Sequence, residues 1–353
     1  MIDPDRYTDF VAGRLSTHRS ADHVRPLVLV FAEGDEAVIP GTGHLDAADP
    51  VWVLVQAVLG DGFGGVILSG PPGTSKSWYA ANIASKLVGG RPERIRSVQF
   101  HPSYQYEDFV EGYVPDPSTG TFQSTEKHLM LLATEASQLP SEMFVLVIDE
   151  LSRADPARVF GEALTYIEGT KRGREFYLAS GRRVSIPANL FIVATMNEFD
   201  RGVDEVDAAF DRRMARIPLQ PSAPLVTKFL ATAGMPPALA GRVVEFFTAL
   251  QRNPERAARI GHTFFMNLKS EDDLRRRWLI QLSHVLRKAF RLNPDGFREV
   301  EVAWNRIFAA SPAPDASGSV VSAPAGLEQE GGLPLEPESG NESSSPDGTA
   351  GTG

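Results

Sequence analysis

The segment GGVILSGPPGTSKSW, residues 64–78, leaves this chain few folds to choose from. Its branched apolar run reads as a buried strand, Gly70-Pro71-Pro72-Gly73 as a turn, and the residues from about Lys76 to Ala84 as a helix. A strand that feeds a helix through such a loop leaves backbone N–H groups pointing out of the helix N-terminus, where the helix dipole favours an anion. Gly70, Pro71, Pro72, Gly73, Thr74 and Ser75 are therefore expected to cradle phosphates, with Lys76 reaching the β- and γ-phosphates and Ser77 offering a hydroxyl to Mg2+. Trp78 follows directly and is grouped with the nucleotide-binding stretch. One position departs from the pattern. Ser75 stands where a glycine normally precedes the lysine, adding a Cβ and a hydroxyl in a tight place, so the loop alone fits a working site or a decayed one.

The strands that follow favour a working site. Apolar runs at 94–100, 143–150, 189–197 and, more weakly, 215–221 alternate with helical stretches, the rhythm of an open α/β sheet with parallel strands. MFVLVIDE ends a buried run on Asp149 and Glu150, where one carboxylate can serve Mg2+ through water and the next can polarise an attacking water. NLFIVATMN ends on Asn197 at the C-terminal edge of the sheet, either positioning that water or capping the strand exit. DEVDAAFDRRMARI reads as a helix carrying Asp207 and Asp211 and ending in Arg212 and Arg213. These arginines either pair with the acids or reach a neighbouring subunit's γ-phosphate.

Two stretches break the rhythm and read as inserts: 103–124, with a turn at Ser118-Thr119-Gly120, and 174–188, a hairpin turning near Ser180-Gly181. The expected organisation is an N-terminal extension at 1–45 (a helix, then two strands at 27–41), an α/β nucleotide-binding region at 46–221, a helical lid at 222–310 and a tail at 311–353. Residues 270–290 read as one amphipathic helix of that lid. The tail, rich in Ser, Pro, Gly and Glu, carries seven acids and no Lys or Arg and is expected to be disordered; it accounts for most of the net charge of -10 and leaves the body nearly balanced. With no cysteine there is no disulfide or thiolate chemistry, and the scattered histidines form no HExxH pair, which argues against zinc. No apolar stretch approaches the roughly 20 residues that span a bilayer, so the expectation is a cytoplasmic protein without membrane contact.

Together, VQFHPSYQYEDFVEGYVP (98–115), VIDELSRADPARVFGEALTYIEG (147–169), IVATMNEFDRGVDEVDAAFDRRM (192–214) and IGHTFF (260–265) resemble AAA+ ATPases of the branch that includes MoxR, dynein-related domains and McrB. The resemblance covers about 45–310 and implies a P-loop NTPase fold with a five-stranded parallel sheet in the order 5-1-4-3-2 and a small helical lid. It also implies Asp149 and Glu150 as the Walker B pair, Asn197 as sensor 1, Arg212 and Arg213 acting in trans, and His262 as a sensor 2 candidate. The partners implied are further copies of the chain in a hexameric ring and a nuclease or other effector subunit, with any DNA handled indirectly. The substrate implied is ATP, with GTP as the alternative: MNEFD (196–200) keeps Asn197 and Asp200 of a stretch linked to GTP use but changes the two residues between them. A MoxR-like chaperone and a nucleotide-sensing scaffold that does not hydrolyse are the competing functions. Tyr104, Tyr106, Phe109 and Tyr113 of the first insert either contact a partner or pack the insert onto the core.

Overall fold

The computed structural model describes residues 45–309 apart from 117, 119, 199–209 and 211. The expected N-terminal helix and strands, the helix with Asp207 and Asp211, and the acidic tail fall outside the described residues.

Five parallel strands form the central sheet: β1 (Gly65–Gly70), β2 (Ile95–Gln99), β5 (Phe144–Asp149), β8 (Leu190–Asn197) and β9 (Ala215–Pro218). Their order is β2-β5-β8-β1-β9, which in chain order of the five is 5-1-4-3-2 read from the β9 edge, as the resemblance implied. β1 and β5 are apolar with little alternation because both faces of the sheet are covered. Val66, Leu68, Val145, Val147, Phe191 and Val193 point to one face, against α1 (Pro50–Gly60) and α2 (Lys76–Leu87). Ile67, Leu146, Ile148, Ile192 and Ala194 point to the other, against α4 (His128–Gln138) and α5 (Pro156–Phe160). α1 starts where chemistry dictates: Pro50 is its first residue, and the Asp49 carboxylate accepts from the amides of Val51 (2.8 Å) and Trp52 (3.3 Å).

Both expected inserts are hairpins. The first holds a short turn of helix, α3 (Tyr106–Phe109), and the antiparallel pair β3 (Glu111–Pro115) and β4 (Phe122–Glu126). The second is the pair β6 (Glu175–Tyr177) and β7 (Arg183–Ser185), turning through Gly181 at φ 85°. Three of the four aromatics in the first insert pack inward: Phe109 is fully buried, Tyr104 stacks on Phe100 at 4.8 Å, and the Tyr106 hydroxyl donates to Glu162 at 2.8 Å. Tyr113 alone of the four is largely exposed, at 61%, so contact is left to it and packing to the others.

One arginine ties the two inserts together. Arg182, beside the turn of the second hairpin, reaches Glu111 at 3.2 Å and Glu126 at 3.1 Å, cross-strand neighbours at the base of the first. Glu111 is buried, and a buried carboxylate that keeps its charge needs such a partner.

Beyond α6 (Ala163–Tyr166), a separate apolar cluster organises the C-terminal helices α7 (Ala223–Ala233), α8 (Pro237–Gln251), α9 (Glu271–Arg277), α10 (Ser283–Ala289) and α11 (Pro294–Arg306). Trp304 is at its centre, stacked on Trp278 at 4.8 Å and edge-on to Phe246 at 5.1 Å. The single helix expected over 270–290 is instead α9 and α10 joined by a π-helical turn, Trp278–Leu282. The wider turn buries Leu282 and keeps Trp278 on the cluster while Leu279 and Ile280 face outward. No helix among the described residues is long and apolar enough to cross a membrane.

Replacing Arg182 with alanine is expected to lower stability by about 2–3 kcal/mol, because Glu111 loses its cation while remaining buried. Denaturant unfolding measures the loss, and hydrogen exchange should place the first loss of protection in 111–126; unchanged protection there would separate the two inserts.

Candidate nucleotide site

The site is assembled by strand register. Gly70, the last residue of β1, pairs with Asn197, the last of β8; Ile148 pairs with Ala194, which puts Asp149 beside Thr195. The C-terminal ends of three adjacent strands therefore meet at one edge of the sheet, the edge at which α2 begins.

In the loop, the Lys76 ammonium is buried and donates to the carbonyls of Gly70 (2.9 Å) and Pro71 (2.8 Å), while Thr74 donates to Pro71 (2.9 Å). Gly73 has φ 82°, and a Cβ there would meet the Phe264 ring at 2.7 Å. Ser75 has φ 63° and ψ 24°, the left-handed region. This is why glycine is usual at that position: a residue with a Cβ pays roughly 1–2 kcal/mol in this conformation. The loop keeps the shape with serine in place, and the Ser75 hydroxyl lies 3.0 Å from Nε2 of His262. Trp78 packs half-buried against the core on α2, edge-on to Tyr79.

Ser77 Oγ donates to Asp149 Oδ1 at 3.2 Å. The two form a hard-oxygen pair, which fits Mg2+ held by one hydroxyl, one carboxylate, phosphate oxygens and water. A cluster of three or more acids, histidines or cysteines able to hold a metal alone does not occur among the described residues, and a site of this kind needs none. Glu150 is also left-handed, at φ 58°. Among the described residues Ser75, Glu150 and Asn267 are the non-glycines with positive φ, and two of the three are here, as strained backbone at functional sites often is. The Glu150 carboxylate accepts from Asn197 Nδ2 at 3.1 Å and lies 3.4 Å from Arg153 Nε.

Thr195 escaped the sequence reading. Its buried hydroxyl donates to Asp149 and accepts from the Glu150 amide at 3.1 Å, so one side chain positions both acids. The signal was present: Thr195 is two residues before Asn197 on a strand and so shares its face.

The strap Gly261–Phe264 was also only partly foreseen, through His262. The Gly261 amide donates to the Pro72 carbonyl (2.8 Å), and the Thr263 amide and hydroxyl donate to the Gly73 carbonyl (3.0 and 3.1 Å). Gly261 is required by closeness, since a Cβ would fall 1.9 Å from the Gly73 oxygen. His262 is 2% exposed, and burial pulls its pKa down to about 4, so the imidazole is neutral at physiological pH. Beside Pro71 a cleft of about 290 Å3 is bordered by Glu198, Gln220, Pro221, Gln251, Arg256 and Arg259.

Arg212 and Arg213 are not at this edge. The Arg213 carbonyl accepts from the Gly64 amide at 3.3 Å, just before β1 begins. Arg212 lies in the field of Glu168, whose carboxyl is held below the usual range first by the Thr170 hydroxyl, then by Lys171, and least by Arg212. β1 has six residues, so about 20 Å of strand separates this pair from the loop, beyond an arginine's reach.

The family comparison agrees with this fold. Residues 65–214 match the AAA domain of the dynein-related subfamily. That stretch of the chain is an AAA domain. The chain is 32% identical over 216 residues to the Type IV methyl-directed restriction enzyme EcoKMcrB subunit of Escherichia coli K12, covering 57% of this chain and 47% of that protein. A second relative, the Type II restriction enzyme BsuMI component YdiS of Bacillus subtilis 168, is 28% identical over 186 residues, covering 42% of this chain and 54% of that one. The chain thus spans about half the length of the curated relatives it matches. A solved structure from Cytophaga hutchinsonii aligns over 71% of this chain and 79% of its own at 14% identity and a TM-score of 0.34.

Thr195→Val keeps the strand's shape and removes the hydroxyl. The expected result is a stability loss of about 1–3 kcal/mol, because the Glu150 amide loses its acceptor in a half-buried position. Nucleotide turnover should fall at least tenfold (~1.4 kcal/mol of barrier), with a smaller change in nucleotide affinity. Denaturant unfolding and phosphate release measure the two effects.

Proposed function

We propose that this chain is a Mg2+-dependent nucleoside triphosphatase, taking ATP with GTP as the alternative, that works as a ring, hexameric by analogy with its family. The observation that carries the reading is the convergence of Lys76, Ser77, Asp149, Glu150 and Asn197 on one sheet edge, with Arg212 and Arg213 at the opposite end of β1.

The triphosphate is received at the N-terminus of α2, where backbone amides and the helix dipole favour its charge. The Lys76 ammonium, held by two loop carbonyls, exchanges them for β- and γ-phosphate oxygens. Ser77 and Asp149 would hold Mg2+, which when bound would offset charge developing on the phosphoryl oxygens. Glu150 orients the attacking water and accepts its proton, and Asn197 holds the Glu150 carboxylate in line for that task. Within one subunit no arginine of the 212–213 pair reaches the phosphates. Charge from this pair reaches a triphosphate only across a subunit boundary, which supports trans action in a ring.

The relatives' names place them in restriction systems, and by that likeness the ring serves a partner nuclease or other effector subunit, with DNA handled through that partner. Cutting chemistry is assigned to the partner.

Phosphate release from ATP and from GTP, followed over a range of protein concentrations, tests the reading. Glu150→Gln should retain nucleotide and turn over at least 100-fold more slowly (~2.7 kcal/mol of barrier). Arg212→Ala and Arg213→Ala should lose up to about 10^3-fold, and mixing either with Glu150→Gln subunits should restore part of the rate, because each mixed interface can hold one intact pair of contributions. A rate per subunit independent of concentration and untouched by both arginine changes would overturn the trans arrangement.

A further inference from the structure

Ser75 is the residue of the loop that fits least well, and the structure supplies a reason for it. Its left-handed backbone, φ 63° and ψ 24°, is one that a serine holds only with help. Help is at hand in the hydrogen bond between Ser75 Oγ and His262 Nε2 at 3.0 Å, made from the strap that already grips Pro72 and Gly73 through Gly261 and Thr263. His262 has no room to serve elsewhere: it is almost fully buried, and its Nδ1 has no hydrogen-bond partner among the described residues.

That orphaned nitrogen decides where the proton is. A neutral imidazole carries one N–H, and a buried N–H without an acceptor is rarer and less tolerable than a buried lone pair without a donor. The proton therefore belongs on Nε2, which donates to Ser75 Oγ. Ser75 then acts as the acceptor in that bond, and its own hydroxyl hydrogen is left to be donated elsewhere.

We propose that His262 is a positioning residue for the phosphate loop: it clamps Ser75 in the left-handed turn and turns the Ser75 hydroxyl into a donor for a phosphoryl oxygen of the bound nucleotide. The proposal rests on reading the site as a nucleotide site. It makes the Ser75–His262 pair a substitute for the glycine, with a gain: the lid segment becomes part of the phosphate site, so binding and lid position are coupled through one hydrogen bond.

The test is a double-mutant cycle read by the Kd of mant-ATP with Mg2+. In the natural chain, His262→Ala should raise Kd about tenfold, the effect of one lost hydrogen bond plus a loosened turn, and His262→Gln, which can still donate to Ser75, should recover most of it. In a Ser75→Gly background, where glycine takes the turn unaided, His262→Ala should change Kd less than about twofold. The same fold-change in both backgrounds, or a glutamine variant no better than alanine, would mean that His262 only fills space in the lid and would overturn the proposal. Thermal unfolding of each variant identifies any that fail to fold, and the glycine-background pair supplies the comparison in that event. Failure of every chain, the natural one included, to bind mant-ATP would instead overturn the nucleotide-site reading beneath it.

Discussion

The hydrogen-bonded register of β1, β8 and β5 is the constraint on which the site depends. Parallel strands buried on both faces cannot slide by one residue without turning their apolar sets over, so Gly70 stays opposite Asn197 and Asp149 beside Thr195. The polar chemistry is carried by the few residues at which these apolar runs end. A strand end is rigid on one side and open on the other, which suits a carboxylate that must be held in place and still meet a water.

Around that edge, three devices fix side chains that would otherwise wander. Thr195 binds Asp149 and the Glu150 amide together, Asn197 holds the Glu150 carboxylate, and the Gly261–Phe264 strap lies directly on the loop. The strap relies on two positions with almost no free space. A Cβ on Gly261 would strike the Gly73 backbone and one on Gly73 the Phe264 ring, so strap and loop lie in direct contact. The inserts follow the same logic at larger scale, since Arg182 makes two hairpins far apart in sequence move as one. β7 leads into β8, so that tie connects the inserts to the strand bearing Thr195 and Asn197.

Much of this was legible in the residues. The five strands, the helix after the loop, the hairpin at 174–188 and the order of the sheet followed from apolar runs, turn residues and the family likeness, because each depends on local pattern and on covering both faces of a parallel sheet. The π-helical turn at 278–282 was not legible: helical periodicity runs through it, and only packing around Trp304 requires the extra residue. The split among the insert aromatics was equally hidden, since Tyr104, Tyr106, Phe109 and Tyr113 differ in what lies opposite them, not in chemistry.

The sequence by itself determined which groups this chain carries as candidates for a phosphate site: a lysine and a serine after a tight loop, two acids and an asparagine at strand ends, and an arginine pair before the last strand. These are set by local spacing, and spacing survives without knowledge of the fold. Tertiary structure alone decided how they are divided between sites and what Ser75 means. Arg212 and Arg213 are separated from the loop by the length of a strand, and Ser75 meets a histidine 187 residues away. Proximity across such chain distances is a property of packing, which no local pattern encodes.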